Sequence, residues 1–151
     1  MVKDIFLYYD NFMLKSNKKS KTNNKGQVIV PTNLPTPPEP HELSAAYILA
    51  KHFQCTVEFL TPIDDYKRKT PDFKMLDVYW ELKSPISSSK TAISNAFRKA
   101  AQQSRNIVID FRRTKFDKLK AVNIVQYELK NRKSVKKVLI VIEKIVIEIY
   151  R

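Results

Sequence analysis

A chain of 151 residues with 28 Lys and Arg against 15 Asp and Glu, formal net charge +13, is long enough to bury a core as one domain without disulfides or a structural metal. Its 43% hydrophobic and 28% charged residues lie in the globular range, which argues against wholesale disorder. One cysteine, two histidines and one glycine exclude an internal disulfide, a Cys/His zinc site and the glycine-rich loops that cradle nucleotide phosphates, so no nucleotide cofactor is expected.

Residues 1–14 are apolar and aromatic (Ile5, Phe6, Leu7, Tyr8, Tyr9, Phe12, Met13, Leu14) and suit a short helix or strand docked on the body. The run Ile5–Tyr9 is too short for a signal-peptide core or a membrane span. The expectation is a cytoplasmic protein with no membrane span, and secretion by a route needing no signal peptide stays open. Lys15–Lys25 is rich in Lys, Ser and Asn and reads as a solvated arm. Five prolines between Pro31 and Pro40 forbid a helix there, so residues 1–40 are expected to form an arm and linker, and 41–151 the folded domain.

Within that domain, Leu43, Ala46, Tyr47, Leu49, Ala50 and Phe53 recur at helical spacing behind Pro40, predicting a helix over 39–53. Thr56–Leu60 reads as a strand and Thr61–Lys69 as a charged loop. Pro71–Lys83 reads as a hairpin, with strands near Asp72–Met75 and Tyr79–Lys83 and a turn at Leu76-Asp77, where Asp tolerates positive φ. Ser87–Ser89 caps a predicted helix to about Ser104, with Ile93, Ala96, Phe97, Ala100 and Ala101 inward. Ile107–Ile109 is a short buried strand, Phe116–Leu129 a helix, and Val135–Ile142 with Ile145–Tyr150 a closing hairpin across Glu143-Lys144. The order α-β-ββ-α-β-α-ββ predicts a mixed α/β (α+β) fold, a central mixed β-sheet flanked by helices.

The positive charge is concentrated late in the chain: residues 67–151 hold 21 Lys and Arg against eight Asp and Glu. Such a field attracts polyanions, nucleic acid above all. Lys67-Arg68-Lys69 immediately precedes Pro71-Asp72, and Arg112, Arg113 and Lys115 follow Asp110, so two basic clusters suit phosphate contacts around one site. Arg132-Lys133 with Lys136-Lys137 forms a third.

The stretch that can carry chemistry is Pro71-Asp72 followed by Glu81-Leu82-Lys83. On a strand Glu81 and Lys83 share one face while Trp80 and Leu82 turn to the other, toward a core. If the strands of the hairpin pair, Asp72 lies near Glu81, and two carboxylates with a lysine suit a hard divalent cation, Mg²⁺ or Mn²⁺, and a phosphodiester. The bland alternative is an edge hairpin carrying Glu81 and Lys83 as a solvated ion pair.

These residues resemble the PD-(D/E)XK nuclease superfamily, and within it the C-terminal tRNA-nuclease domain of CdiA-type contact-dependent growth inhibition toxins. The resemblance runs from about residue 41 to 142 through five segments: His41-Glu42 opening a helix to Ala50, Val57-Glu58-Phe59-Leu60, Thr70-Pro71-Asp72, Trp80-Glu81-Leu82-Lys83-Ser84, and Gln103-Ser104 leading into Ile107-Val108-Ile109-Asp110. It implies a restriction-endonuclease-like core in which Glu42, Asp72 and Glu81 hold the metal and Lys83 completes the catalytic set, with Gln103, Ser84 and Asp110 supporting. It further implies a metal-dependent endonuclease acting on RNA, tRNA ahead of DNA, and an acidic immunity protein over the basic face. Two other readings stay open: a non-catalytic or DNA-directed nucleic-acid-binding protein of a phage or mobile element, and an interaction protein that docks through its N-terminal apolar segment. The duller roles are a helix-dipole partner for Glu42, a strand-end turn for Asp110 and backbone satisfaction for Gln103.

Overall fold

The computed structural model describes residues 26–63, 69–87, 89–115 and 117–151. The expectations for residues 1–25, for Lys67 and Arg68, and for a helix start at Phe116 lie outside the described residues.

Three helices and seven strands follow in the order β1 (Gln27–Ile29), α1 (Pro40–Phe53), β2 (Thr56–Phe59), β3 (Phe73–Met75), β4 (Val78–Lys83), α2 (Lys90–Gln103), β5 (Asn106–Asp110), α3 (Lys118–Asn131), β6 (Lys137–Ile142) and β7 (Ile145–Tyr150), among the described residues. The strands form one sheet in sequence order. β1/β2, β4/β5 and β5/β6 pair parallel, and β2/β3, β3/β4 and β6/β7 antiparallel. The expected class, a mixed sheet flanked by helices, holds.

Each helix begins where its local chemistry satisfies otherwise orphaned N–H groups. At α1, Pro40 occupies the first turn and a capping box joins Glu39 and Glu42, the Glu42 carboxylate accepting from Glu39 N at 2.8 Å. Ser89 Oγ accepts from Ala92 N (3.1 Å) at α2. At α3 Asp117 accepts from Leu119 N (2.9 Å) and Lys120 N (3.4 Å), a cap that the sequence carries in plain view one residue beyond the expected start.

The sheet separates two cores. One holds Ala45, Ala46, Leu49 and Ala50 of α1 against Val57, Phe59, Phe73, Met75, Trp80, Leu82, Val108, Leu139, Val141 and Val146. The other holds Ile93, Phe97 and Ala100 of α2 and Val122, Val125 and Leu129 of α3 against Ile107, Ile109, Val138, Ile140 and Ile142. Alternation along β5 and β6 sends successive residues to opposite cores, so both strands read as unbroken apolar runs.

The β3–β4 turn falls at Leu76-Asp77 as expected, with φ of 54° and 59°, the left-handed pair of a tight hairpin turn achieved without glycine. β1 lies in the stretch expected as an arm and is an edge strand of the sheet. The one glycine explains how it gets there: at Gly26 the chain passes so close to the end of α1 that a Cβ would meet Ala50 O at 2.0 Å.

Candidate active site

β4 is a central strand, buried from Trp80 through Leu82. Its alternation sends Trp80 and Leu82 into the α1 core, where the indole N–H donates to Met75 O at 2.9 Å. Glu81 pairs in register with Ile107 and Lys83 with Ile109, so both face the α2 side of the sheet. Glu81 is only 1% exposed, and the solvated edge pair does not hold.

The antiparallel register Phe73↔Trp80, carried back one residue, sets Asp72 directly opposite Glu81. Asp72 N donates to Trp80 O (3.0 Å), Leu60 N donates to Asp72 O (3.0 Å), and Leu82 N donates to Asp72 Oδ2 (2.7 Å). Asp72 is therefore fixed by backbone on both sides, with its carboxylate within hydrogen-bonding reach of Glu81. Glu81 Oε1 accepts from the Lys83 ammonium, whose side chain is 27% exposed and provides the edge open to solvent. Glu81 Oε2 is buried and has no hydrogen-bond partner among the described residues.

That geometry sets the electrostatics. Burial pushes the Glu81 carboxyl up to about 7, the Asp72 charge adds to the rise, and the Lys83 ammonium opposes it. Asp72 is raised as well, chiefly by burial, with the Leu82 N–H and Lys83 pulling down and the Glu42 charge pushing up. A buried and a half-buried carboxylate that disfavour their own charge, the buried one with an orphaned oxygen, gain by taking up a proton or a cation. Their hard oxygen donors fit Mg²⁺ or Mn²⁺, which are bound by one or two carboxylates plus water and substrate phosphate. Among the described residues no three His, Cys, Asp or Glu side chains converge as a closed ligand set. Glu42, the third expected ligand, is close enough for its charge to act on Asp72 but spends Oε2 on the α1 cap.

The remaining expected residues divide. Asp110, fully buried at the end of β5, is not free: Arg112 donates to Asp110 Oδ2 (2.7 Å) and Oδ1 (2.9 Å) and reaches on to Ser44 Oγ (2.6 Å) and His41 O (2.9 Å). This clamp holds the first turn of α1, with Glu42, against the end of β5. Arg112 is thus occupied internally, whereas Arg113, near His41 Nε2 at 3.1 Å, and Lys115 and Lys69 are exposed. Gln103 is the last residue of α2. Its neighbours Ser104 and Asn106 bond to Tyr79 O, at the far end of β4 from Lys83. Ser84 Oγ, just beyond Lys83, is buried without a partner among the described residues. The contact of Thr114 Oγ1 with Pro85 O, which ties the Arg113 loop to the β4 exit, left no signal in the sequence.

The described chain contains no helix long and apolar enough to cross a membrane. No curated protein matches the sequence. The fold is similar to a solved structure titled "CdiA-CT/CdiI toxin and immunity complex from Burkholderia pseudomallei", at 14% identity and TM-score 0.51, over 83% of this chain and 100% of that one. A family described as the contact-dependent growth inhibition CdiA C-terminal domain matches residues 69–145, which include Asp72, Glu81, Lys83 and Asp110. That match spans just over half of the sequence, and the chain belongs to the contact-dependent growth inhibition CdiA C-terminal domain family.

Proposed function

We propose that this protein is a nuclease toxin of PD-(D/E)XK type, which hydrolyses phosphodiester bonds with a divalent metal and takes structured RNA, tRNA first, ahead of DNA. The observation that carries the reading is the buried, unpartnered Oε2 of Glu81 beside Asp72, with Lys83 at the solvent edge. Asp72 and Glu81 would hold Mg²⁺ or Mn²⁺, with Glu42 reaching it through water. The ion would supply a water of lowered pKa and offset the charge that grows on the phosphate oxygens. The Lys83 ammonium, free to exchange Glu81 for substrate at the solvent edge, stabilises the same developing charge. Arg113, Lys115 and Lys69 contact flanking phosphates, which position the chain without reading its sequence. Lys67 and Arg68, next to Lys69 in sequence, belong to the same proposed contact set.

A protein of net charge +13 that cleaves nucleic acid endangers the cell that makes it, and the similar structure from Burkholderia pseudomallei is a toxin and immunity complex. An acidic immunity protein covering the basic face is the partner proposed here.

The test is incubation of the purified chain, wild type and Asp72→Asn, with total tRNA or duplex DNA in Mg²⁺, Mn²⁺ or EDTA. Asn keeps an acceptor for Leu82 N and removes the charge. Metal-dependent cleavage by wild type alone supports the reading and chooses the substrate. The absence of a closed three-residue ligand set among the described residues favours one competitor, a non-catalytic nucleic-acid-binding module. Salt-sensitive, EDTA-insensitive binding without cleavage would establish that competitor instead.

A further inference from the structure

Beyond Lys83 the chain leaves β4 and runs through Ser84–Ser87 toward α2. Between this exit and the helix lies an open cleft of about 380 Å³, lined by Lys83, Ser84, Pro85, Ile86 and Ser87 on one wall and Ala92, Asn95, Ala96 and Lys99 on the other. Its volume falls at the lower end of the range of small-ligand sites and greatly exceeds what a single anion fills.

The lining has two chemistries. Ala92 and Ala96, one helical turn apart, remove side-chain bulk and leave α2 flat there, while Pro85 and the 63% exposed Ile86 face the opening. The polar groups are Lys83, Lys99, Asn95, Ser84 and Ser87, and no carboxylate lines the cleft. Asn95 Oδ1 accepts from Arg98 Nη2 at 3.3 Å, so its amide N–H groups remain as donors. Ser84 Oγ is buried with no partner among the described residues. A flat apolar slot, amide and hydroxyl groups at its edge and two ammonium groups match a heterocyclic base attached to a phosphate.

We propose that this cleft seats one unstacked nucleotide of the substrate, base against Ala92, Ala96 and Ile86 and phosphate toward Lys83 and Lys99, immediately beside the scissile bond. The inference rests on the nuclease reading and deepens it: cleavage falls next to an unpaired, extruded base rather than within a continuous duplex. Lys99, Asn95 and Ser84 are substrate-positioning residues, and Lys83 joins the cleft to the catalytic pair.

The test titrates the full-length, isotope-labelled protein in EDTA with AMP, GMP, CMP, UMP and inorganic phosphate, following backbone amides by NMR. At least one nucleotide should saturably shift amides of residues 83–99, with a Kd at least tenfold below that of inorganic phosphate. Ala96→Leu, which fills the slot with a good helix former, should weaken this binding at least tenfold and raise KM for polynucleotide cleavage more than it lowers kcat. Lys99→Glu, at an exposed helix position, provides a second probe that does not touch the core and should weaken binding by a similar factor. Phosphate binding as tightly as every nucleotide, shifts mapping elsewhere, or unchanged affinity in both variants would overturn the proposal. If nucleotides bind the cleft but the wild type cleaves no polynucleotide, the nuclease reading fails and the nucleotide site stands. If the wild type cleaves and both variants keep its KM, the cleft proposal fails and the nuclease reading stands.

Discussion

Replacing Glu81 by Gln should make the metal-free protein more stable while abolishing its activity. The Glu81 carboxyl titrates near 7 in the folded chain against an ordinary value of 4.5. A folded pKa above the unfolded one means that the folded state binds the extra proton, so stability is full below the unfolded value and lost as pH rises through the folded one. The gap of about 2.5 units corresponds to a loss of about 3 kcal/mol between pH 4.5 and about pH 8. Gln keeps the shape without a titratable group and removes that loss. It also deprives Lys83 of a charged partner while keeping an amide oxygen as acceptor, a small cost because that ammonium reaches solvent. Urea unfolding in EDTA should give nearly equal stabilities for the two proteins at about pH 5. At about pH 8 the variant should be ahead by about 1–3 kcal/mol. Asp72 and Glu81 act on each other's charge, so the difference between the curves reports the Asp72–Glu81 pair. Mg²⁺ at about pH 8 should stabilise the wild type by mass action and leave the variant unmoved. Parallel curves, or a variant less stable at every pH, would refute the assignment of Glu81 as a buried carboxylate held ready for a cation.

Three other perturbations probe the surroundings. Lys83→Ala should cut cleavage at least about a hundredfold and move the wild-type stability loss to higher pH, because the charge that favours ionised Glu81 is gone; unfolding curves and single-turnover rates check both. Arg112→Ala strands the fully buried Asp110 and should cost about 3–5 kcal/mol in urea unfolding, with Arg112→Lys a poor rescue because one ammonium cannot reach Asp110, Ser44 and His41 together. Gly26→Ala forces a methyl group to within 2.0 Å of Ala50 O and should destabilise by about 1–3 kcal/mol, with hydrogen exchange rising first in β1.

Period and capping made most of the fold legible. Ser89 and Pro40 announced two helix starts, the turn at Leu76-Asp77 was readable because Asp tolerates positive φ, and the apolar runs of β5 and β6 marked a buried strand and one arm of the closing hairpin. β1 was not legible, since its three residues carry no period and owe their place to pairing with β2 and to the close pass at Gly26, neither of which leaves a local mark.

At the site, strand alternation gave the shared face of Glu81 and Lys83, but burial depends on which strands lie alongside. A central β4 turns what resembles a solvated pair into a buried carboxylate with an orphaned oxygen. The clamp from Arg112 to His41 and Ser44 spans about seventy positions and is invisible to spacing rules. It also shows why a basic cluster is a weak guide: Arg112 is spent inside the protein, while its neighbours Arg113 and Lys115 face out.

The most direct test of the central claim is single-turnover cleavage of purified tRNA by wild type and Glu81→Gln, each in Mg²⁺ and in EDTA, with the fold of both verified by circular dichroism. Cleavage only by wild type in Mg²⁺ is the predicted result. Equal cleavage by the folded Glu81→Gln variant, or cleavage that persists in EDTA, would contradict a metal-dependent centre built on Asp72, Glu81 and Lys83.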